Sequence, residues 1–207
     1  SSKFDLVIKN FLGKKIIFKN ILLNLIGKHN ILNSVAAISV CINLGVKIKI
    51  IKEALLKFTG VQRRMTKIFE KNNNEFYDDY AHHPTEISSV LEGIKKVSGT
   101  KKITSVFQPH RFTRVNSLKK EFSKSFNFSD RVILCPVYAA GEKVDKKFSL
   151  IKFAKLISIN SKVQVIIIKN EKKLTNFFKK NIIKNEIIIG MGAGSISSWM
   201  RNLQKNL

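Results

Sequence analysis

Four stretches of this chain gather side chains that can bind anions, move protons or read the edge of a purine. The segment Asp78-Asp79-Tyr80-Ala81-His82-His83-Pro84-Thr85-Glu86 sets two carboxylates, a phenol and two imidazoles side by side. Such a set is costly to bury unless something uses it, and aspartate with histidine also suits a transition metal. The segment Gln108-Pro109-His110-Arg111-Phe112-Thr113-Arg114 carries two guanidiniums three residues apart, which can converge on a carboxylate or a phosphate. In Gly27-Lys28-His29-Asn30-Ile31-Leu32-Asn33 two amides are likewise three apart. At a helix entry they can face the same way and offer a donor and an acceptor to a purine; helix capping is the competing use of asparagine there. Finally, Arg64 in Gly60-Val61-Gln62-Arg63-Arg64 could reach a phosphate with its planar fork, against the plainer reading of a solvated basic linker.

Two further segments are weaker. Pro136-Val137-Tyr138-Ala139-Ala140-Gly141-Glu142 follows an expected strand. Gly190-Met191-Gly192-Ala193-Gly194-Ser195 precedes an expected helix and has the look of a phosphate loop, but it lacks the lysine of such a motif.

These clusters need elements to hold them. Around Gly13 two short β-type runs, 4–8 and 15–18, predict a hairpin, and a third run covers 21–26. The pattern then switches to helical spacing from Leu32 to Ile42, closed by Gly45. A second helix is expected over 48–57, and 58–62 is expected to be a hinge. Beyond Met65 strands over 66–70, 75–79, 102–107, 131–134, 163–168 and 186–189 alternate with helices over 84–97, 117–126, 150–157, 171–179 and 196–203. Such alternation implies an α/β fold: a mainly parallel sheet with helices on both faces. Ligands gather beyond the carboxyl ends of such strands, where the Asp78, Gln108 and Pro136 segments fall.

Composition narrows the classes. The chain has 207 residues with 44% hydrophobic and 25% charged side chains, so a packed core is expected and wholesale disorder is not. Lysine and arginine number 38 against 14 acidic residues, a formal charge of +24. That excess raises nucleic acid as a partner, yet the lysines are scattered along the chain rather than gathered in a stripe. Neither specific nucleic acid nor membrane is expected as a partner. Cys41 and Cys135 are too few for a disulfide framework or a four-cysteine zinc site and are expected as buried free thiols. No apolar run reaches the roughly 18–20 residues that span a bilayer. Ser1 to Asp5 lack a basic signal-peptide start, so a cytoplasmic location is expected.

Taken in order, GKHNILNSVAA, FTGVQRR, DDYAHHPTEI, FQPHRFTR, VYAAGE and GMGAGSI resemble the Mur ligase family, over about residues 27–196. The PHRFTR block favours its L-alanine-adding branch over its murein tripeptide branch. The resemblance implies a partial ATP-binding domain over residues 1–58 and a Rossmann-like, amino-acid-binding domain over 59–207. No GxxGK[ST] sequence occurs, so the chain is expected to be the C-terminal part of an enzyme, inactive without a P-loop and a UDP-binding domain.

The implied reaction joins L-alanine to UDP-N-acetylmuramate in peptidoglycan precursor synthesis. ATP converts the muramoyl carboxylate to an acyl phosphate, which the amine attacks. By the resemblance Asn30 and Asn33 face adenine, Arg64 approaches the nucleotide phosphates, and Asp79 lies on the ATP side. Tyr80, His82, Arg111 and Arg114 face the amino acid and acyl group. His82 is the candidate for orienting the amine, and the two arginines for the alanine carboxylate. His29, His83 and His110 receive no distinct role. ATP and Mg²⁺ are the implied cofactors, the metal held mostly by segments outside this sequence, and a hinge near Gly60 is expected to close the site. A metal-dependent phosphoesterase using Asp78, Asp79, His82, His83 and His110 is the competing enzyme reading. A basic nucleic-acid-binding module is the competing non-enzyme reading.

Overall fold

A computed structural model describes residues 1–11, 14–25 and 27–207. The expected turn at Gly13 and the Ile26 end of the third β-type run lie outside them. Ser1–Val61 and Gln62–Leu207 form two compact units.

In the first unit β1 (Ser2–Phe11) pairs antiparallel with β2 (Lys14–Leu23), followed by α1 (Lys28–Asn43) and α2 (Ile48–Lys57). The third β-type run is not a separate strand: it continues β2 through a bulge. Register passes from Leu6↔Phe18 to Phe4↔Ile21, so β2 carries one extra residue there. Asn20 takes up the left-handed φ of 56°, which asparagine tolerates better than most residues. Its N–H donates to Asp5 Oδ1 at 2.7 Å. The bulge restores the inward face, so that Phe18, Ile21 and Leu23 are all buried, with Ile38 of α1 and Ile51 of α2 completing the core. Helix α1 starts at Lys28, earlier than its apolar spacing announced, because Gly27 at φ 103° turns the chain sharply into it.

The second unit carries β3 (Thr66–Lys71), β4 (Asn74–Asp79), α3 (Pro84–Val97), β5 (Lys102–Phe107), α4 (Phe112–Ser117), α5 (Lys119–Ser123), β6 (Arg131–Leu134), α6 (Leu150–Ser161), β7 (Gln164–Ile167), α7 (Glu171–Asn181), β8 (Glu186–Met191) and α8 (Ile196–Asn206). The strands form one sheet in the order β3-β4-β8-β5-β6-β7, parallel except for the β3–β4 hairpin. Alternation along each strand builds two cores. Ile103, Phe107, Val132, Leu134, Ile187 and Ile189 meet α3, α5 and α6 on one face. On the other face Phe76, Val106, Ile133 and Ile188 meet α7 and α8 through Leu174, Phe178, Ile196 and Met200. Expected helix 117–126 is instead two short helices, broken at Leu118 and begun earlier. Its start is set by tertiary pairing: Arg111 N donates to Tyr138 O at 2.8 Å, a contact no local pattern announces.

At the amino ends of the strands a buried ion pair ties four of them together. Arg131 Nη2 reaches both carboxylate oxygens of Glu186, at 2.9 and 3.2 Å, and Thr104 Oγ1 donates to the same carboxylate at 2.9 Å. Glu186 N in turn donates to Asn74 Oδ1 at 2.8 Å. Arg131 is 8% and Glu186 1% exposed. Breaking a buried pair leaves an uncompensated charge, whereas an apolar replacement of both partners can be neutral. Glu186→Ala is therefore expected to lower unfolding free energy by about 3–5 kcal/mol in urea titration. The double change Arg131→Met with Glu186→Leu should recover most of that loss.

A candidate amino-acid and nucleotide site at the carboxyl ends of the parallel strands

Parallel register aligns three strand ends: Asp78 with Gly190 and Val106, Asp79 with Met191 and Phe107. The loops that leave them are stitched by backbone bonds. Gln108 N donates to Met191 O at 3.0 Å, Gly192 N to Asp79 O at 3.3 Å, and Cys135 N to Phe107 O at 2.8 Å. Neighbouring loops thus emerge side by side, as the general rule for such sheets requires.

Asp79 ends β4 and is almost buried. Its Oδ1 accepts from Ala81 N and its Oδ2 from Met65 N, both at 2.8 Å. Burial pushes its carboxyl above the usual range, and Asp78 adds to that, against the two backbone N–H groups and the charge of Arg64. Arg64 is exposed. Asp78 is fully buried, accepting from Ser197 Oγ at 2.5 Å and Arg201 Nη2 at 3.4 Å.

Immediately after β4 the chain enters α3 through a capping box. Glu86 Oε2 accepts from His82 N and His83 N at 3.0 and 3.1 Å, while His83 Nδ1 accepts from Thr85 N at 3.4 Å. Pro84 sits in the first turn, as its fixed φ favours. His83 is thereby a helix cap. His82 is turned the other way, its Nδ1 2.9 Å from Tyr80 O.

From there a row of rings crosses the strand ends. Tyr80 and His82 lie 5.0 Å apart between centroids, His82 and His110 5.8 Å, and His110 and Tyr138 5.7 Å. A parallel bridge between His110 and Tyr138 joins the loops after β5 and β6. Arg114, half-buried, places Nη1 3.3 Å from His110 Nδ1. Arg111 is exposed at the entry to α4 with φ 67°. Burial first, then the charges of Arg114, His82 and Arg111, hold the His110 imidazole below its ordinary pKa. Glu142, from the Tyr138 loop, accepts from Thr113 N at 3.2 Å and from Thr113 Oγ1, fastening α4 to that loop.

The structure therefore brings Arg64, Asp79, Tyr80, His82, Arg111 and Arg114 to one edge of one unit. Asn30 and Asn33 belong to the first unit, on the first two turns of α1. Asn30 is 7% exposed and Asn33 is exposed, and Gly27, not an asparagine, is the N-cap residue. Cys135 is buried, its thiol pushed up to about 12 by burial, and Cys41 is half-buried.

Four participants lie in segments that the sequence marks but received there none of the parts they take here: Arg63, Gln108, His110 as a member of the ring row, and Tyr138. Gln108 Oε1 accepts from Ile196 N at 3.0 Å and its Nε2 donates to Ser195 Oγ at 3.1 Å. The glycines before α8 serve this packing. A Cβ at Gly192 would stand 2.7 Å from Gln108 O, and one at Gly194 2.5 Å from Tyr138 Cγ. The look of a phosphate loop comes from close approach of protein to protein. Nor do the acidic and imidazole side chains form the phosphoesterase centre. Among the described residues no three His, Cys, Asp or Glu side chains gather as a metal site.

Comparison with known proteins agrees with this geometry. Residues 63–194 match the family described as "Mur ligase, glutamate ligase domain". A UDP-N-acetylmuramate–L-alanine ligase of Pelagibacter ubique is 49% identical over 203 residues, covering 98% of this chain and 44% of that protein. A protein of the same name from Vesicomyosocius okutanii is 38% identical, covering 89% and 40%. This chain thus spans less than half the length of these relatives. Among solved structures, the UDP-N-acetylmuramate–alanine ligase of Thermotoga maritima superposes with a TM-score of 0.71 at 27% identity, over 92% of this chain and 42% of that one. A murein peptide ligase of Psychrobacter arcticus shares the fold with a TM-score of 0.72 at 20% identity, over 99% and 42%. With two thirds of its length matched to the family and its strand-end clusters assembled on one edge, the chain belongs to the Mur ligase family.

Proposed function

We propose that this chain supplies the amino-acid side of an ATP-dependent ligase that joins L-alanine to UDP-N-acetylmuramate. The observation that carries the reading is Arg114 Nη1 3.3 Å from His110 Nδ1, with Arg111 exposed on the same loop, in the ring row that begins at the exposed Tyr80. Two guanidiniums suit a small carboxylate. The names of the curated relatives support L-alanine as that amino acid.

In this reading a carboxylate is activated by ATP as an acyl phosphate, the alanine amine attacks its carbonyl, and phosphate leaves. Arg111 and Arg114 hold the alanine carboxylate, and His82 orients the amine. Tyr80 faces the acyl group. Arg64, exposed beside Asp79, approaches the nucleotide phosphates, and Asp79 holds the turn from which Arg64 projects. Asn30 and Asn33 are assigned to adenine. Residues 1–58 correspond to part of the ATP-binding domain and 59–207 to the amino-acid-binding domain. Positioning and charge neutralisation are what these residues contribute. Asp79 takes two backbone N–H groups, and Asp78 Oδ2 takes Ser197 and Arg201. No step is assigned to Mg²⁺ on this chain.

In a ligase that contains this region, Arg111→Ala is expected to raise KM for L-alanine about 10- to 100-fold, as loss of charge-assisted hydrogen bonds implies. KM for ATP should stay within about twofold, because uniform binding of one substrate is lost. Steady-state kinetics with each substrate varied in turn decides it; equal changes in both constants reject the assignment.

His110 adds a pH dependence. Its folded pKa lies below the ordinary 6.5, so it stays neutral at neutral pH and accepts from Arg114. As pH falls below 6.5 toward the folded value, the unfolded chain takes up the proton first, so stability decreases and the acceptor is lost on protonation. Imidazole resonances followed by NMR should show His110 titrating below 6.5, and Arg114→Ala should move that midpoint upward.

A further inference from the structure

We propose that Arg63 is a positioning residue for Tyr80, and through Tyr80 for the amino-acid side of the site. This deepens the preceding reading and rests on it. Two neighbouring arginines here have separate environments. Arg63 and Met65 both adopt left-handed backbone, with φ of 62° and 48°, rare for side chains of this size. That turn leaves Arg64 exposed and Arg63 half-buried.

Arg63 grips Tyr80 twice. Its carbonyl oxygen accepts from Tyr80 N at 2.6 Å, and its guanidinium carbon stands 4.7 Å from the centroid of the Tyr80 ring, within cation–π range. The guanidinium is itself held from two other directions. Arg63 Nη2 donates to Gly192 O at 2.6 Å, and Nε lies 3.8 Å from Asp78 Oδ2. Asp78 is fixed in turn by Ser197 of α8. Three elements therefore determine where the guanidinium sits: β4, the loop after β8 and α8.

Tyr80 is the first ring of the row that runs through His82 and His110 to Tyr138. It is also the member that points an exposed face outward beside Arg63. A guanidinium hydrogen-bonded to a carbonyl and set at ion-pair distance from a buried carboxylate can hold that ring in one place at little entropic cost. Asp78, named from sequence in the phosphoesterase reading, and Gly192, in the segment with the look of a phosphate loop, act here as the brace behind Arg63.

The test uses this chain, with L-alanine titrated and the imidazole resonances of His82 and His110 followed by NMR. Arg63→Ala is expected to weaken L-alanine about fivefold, the scale of one lost cation–π contact, with Tyr80→Ala giving a similar loss. The double variant should be no weaker than either single one, because both remove the same placement. If Arg63→Ala fails to fold, Arg63→Lys keeps the cation beside Asp78 and should show the same non-additivity. Losses that multiply in the double variant overturn the inference. So does unchanged L-alanine affinity in the Arg63 variants while Arg111→Ala abolishes binding. If the parent chain takes up no L-alanine, the amino-acid reading fails and the inference falls with it; that outcome is distinguishable, because Arg111→Ala then changes nothing.

Discussion

The whole candidate site depends on one constraint, the parallel register of β4, β8 and β5. Because Asp79, Met191 and Phe107 lie level, three chain segments spread over more than a hundred residues of sequence leave the sheet at the same height. A one-residue slip would turn every side chain to the opposite face of the sheet. It would exchange the apolar sets that pack against the two helical layers, so the register is enforced by burial on both faces. The Arg131–Glu186 pair at the far ends of the strands adds a polar lock to that enforcement. The edge that carries the candidate site and the edge that anchors are thus two ends of the same strands.

Beyond the strands, specificity of placement passes from apolar packing to polar contacts. Asp79 illustrates the change. A buried carboxylate is costly, and this one is compensated by two backbone N–H groups rather than by a cation. Those two bonds fix the turns on either side of it, one leading to Arg64 and the other to Tyr80 and His82. Gln108 plays the corresponding part after β5, joining its own loop to the start of α8. The glycines near α8 allow the backbone to come that close. What looks locally like ligand chemistry is in several places the framework that holds the side chains of the candidate site.

The ring row and the arginines illustrate a division of labour. His83 and Glu86 are consumed in capping α3, while His82, one residue earlier, faces the row. A histidine pair in sequence therefore becomes one helix cap and one member of the ring row. Similarly Arg63 is held inside and Arg64 left outside. In the arginine pair the left-handed backbone at Arg63 and Met65, not the residue type, decides which member faces solvent.

Much of this was legible from residue order. Strands 102–107 and 131–134 and helix 84–97 follow from short runs rich in apolar and β-branched residues and from a proline-led capping sequence, since these signals are local. The clusters at Asp78 and Gln108, and the family they resemble, were legible for the same reason. Other features were decided by tertiary contact alone. The bulge at Asn20 depends on a partner strand. The early start of α4 depends on a carbonyl 27 residues away. Tyr138 joined the site because the loops after β5 and β6 meet, and His110 became a low-pKa acceptor because two guanidiniums and burial surround it. Sequence determines which side chains are available and which local elements form, because both are set by neighbours along the chain. Which of two adjacent histidines or arginines is used is settled by packing between distant segments, because only that packing sets the direction in which each side chain leaves the backbone.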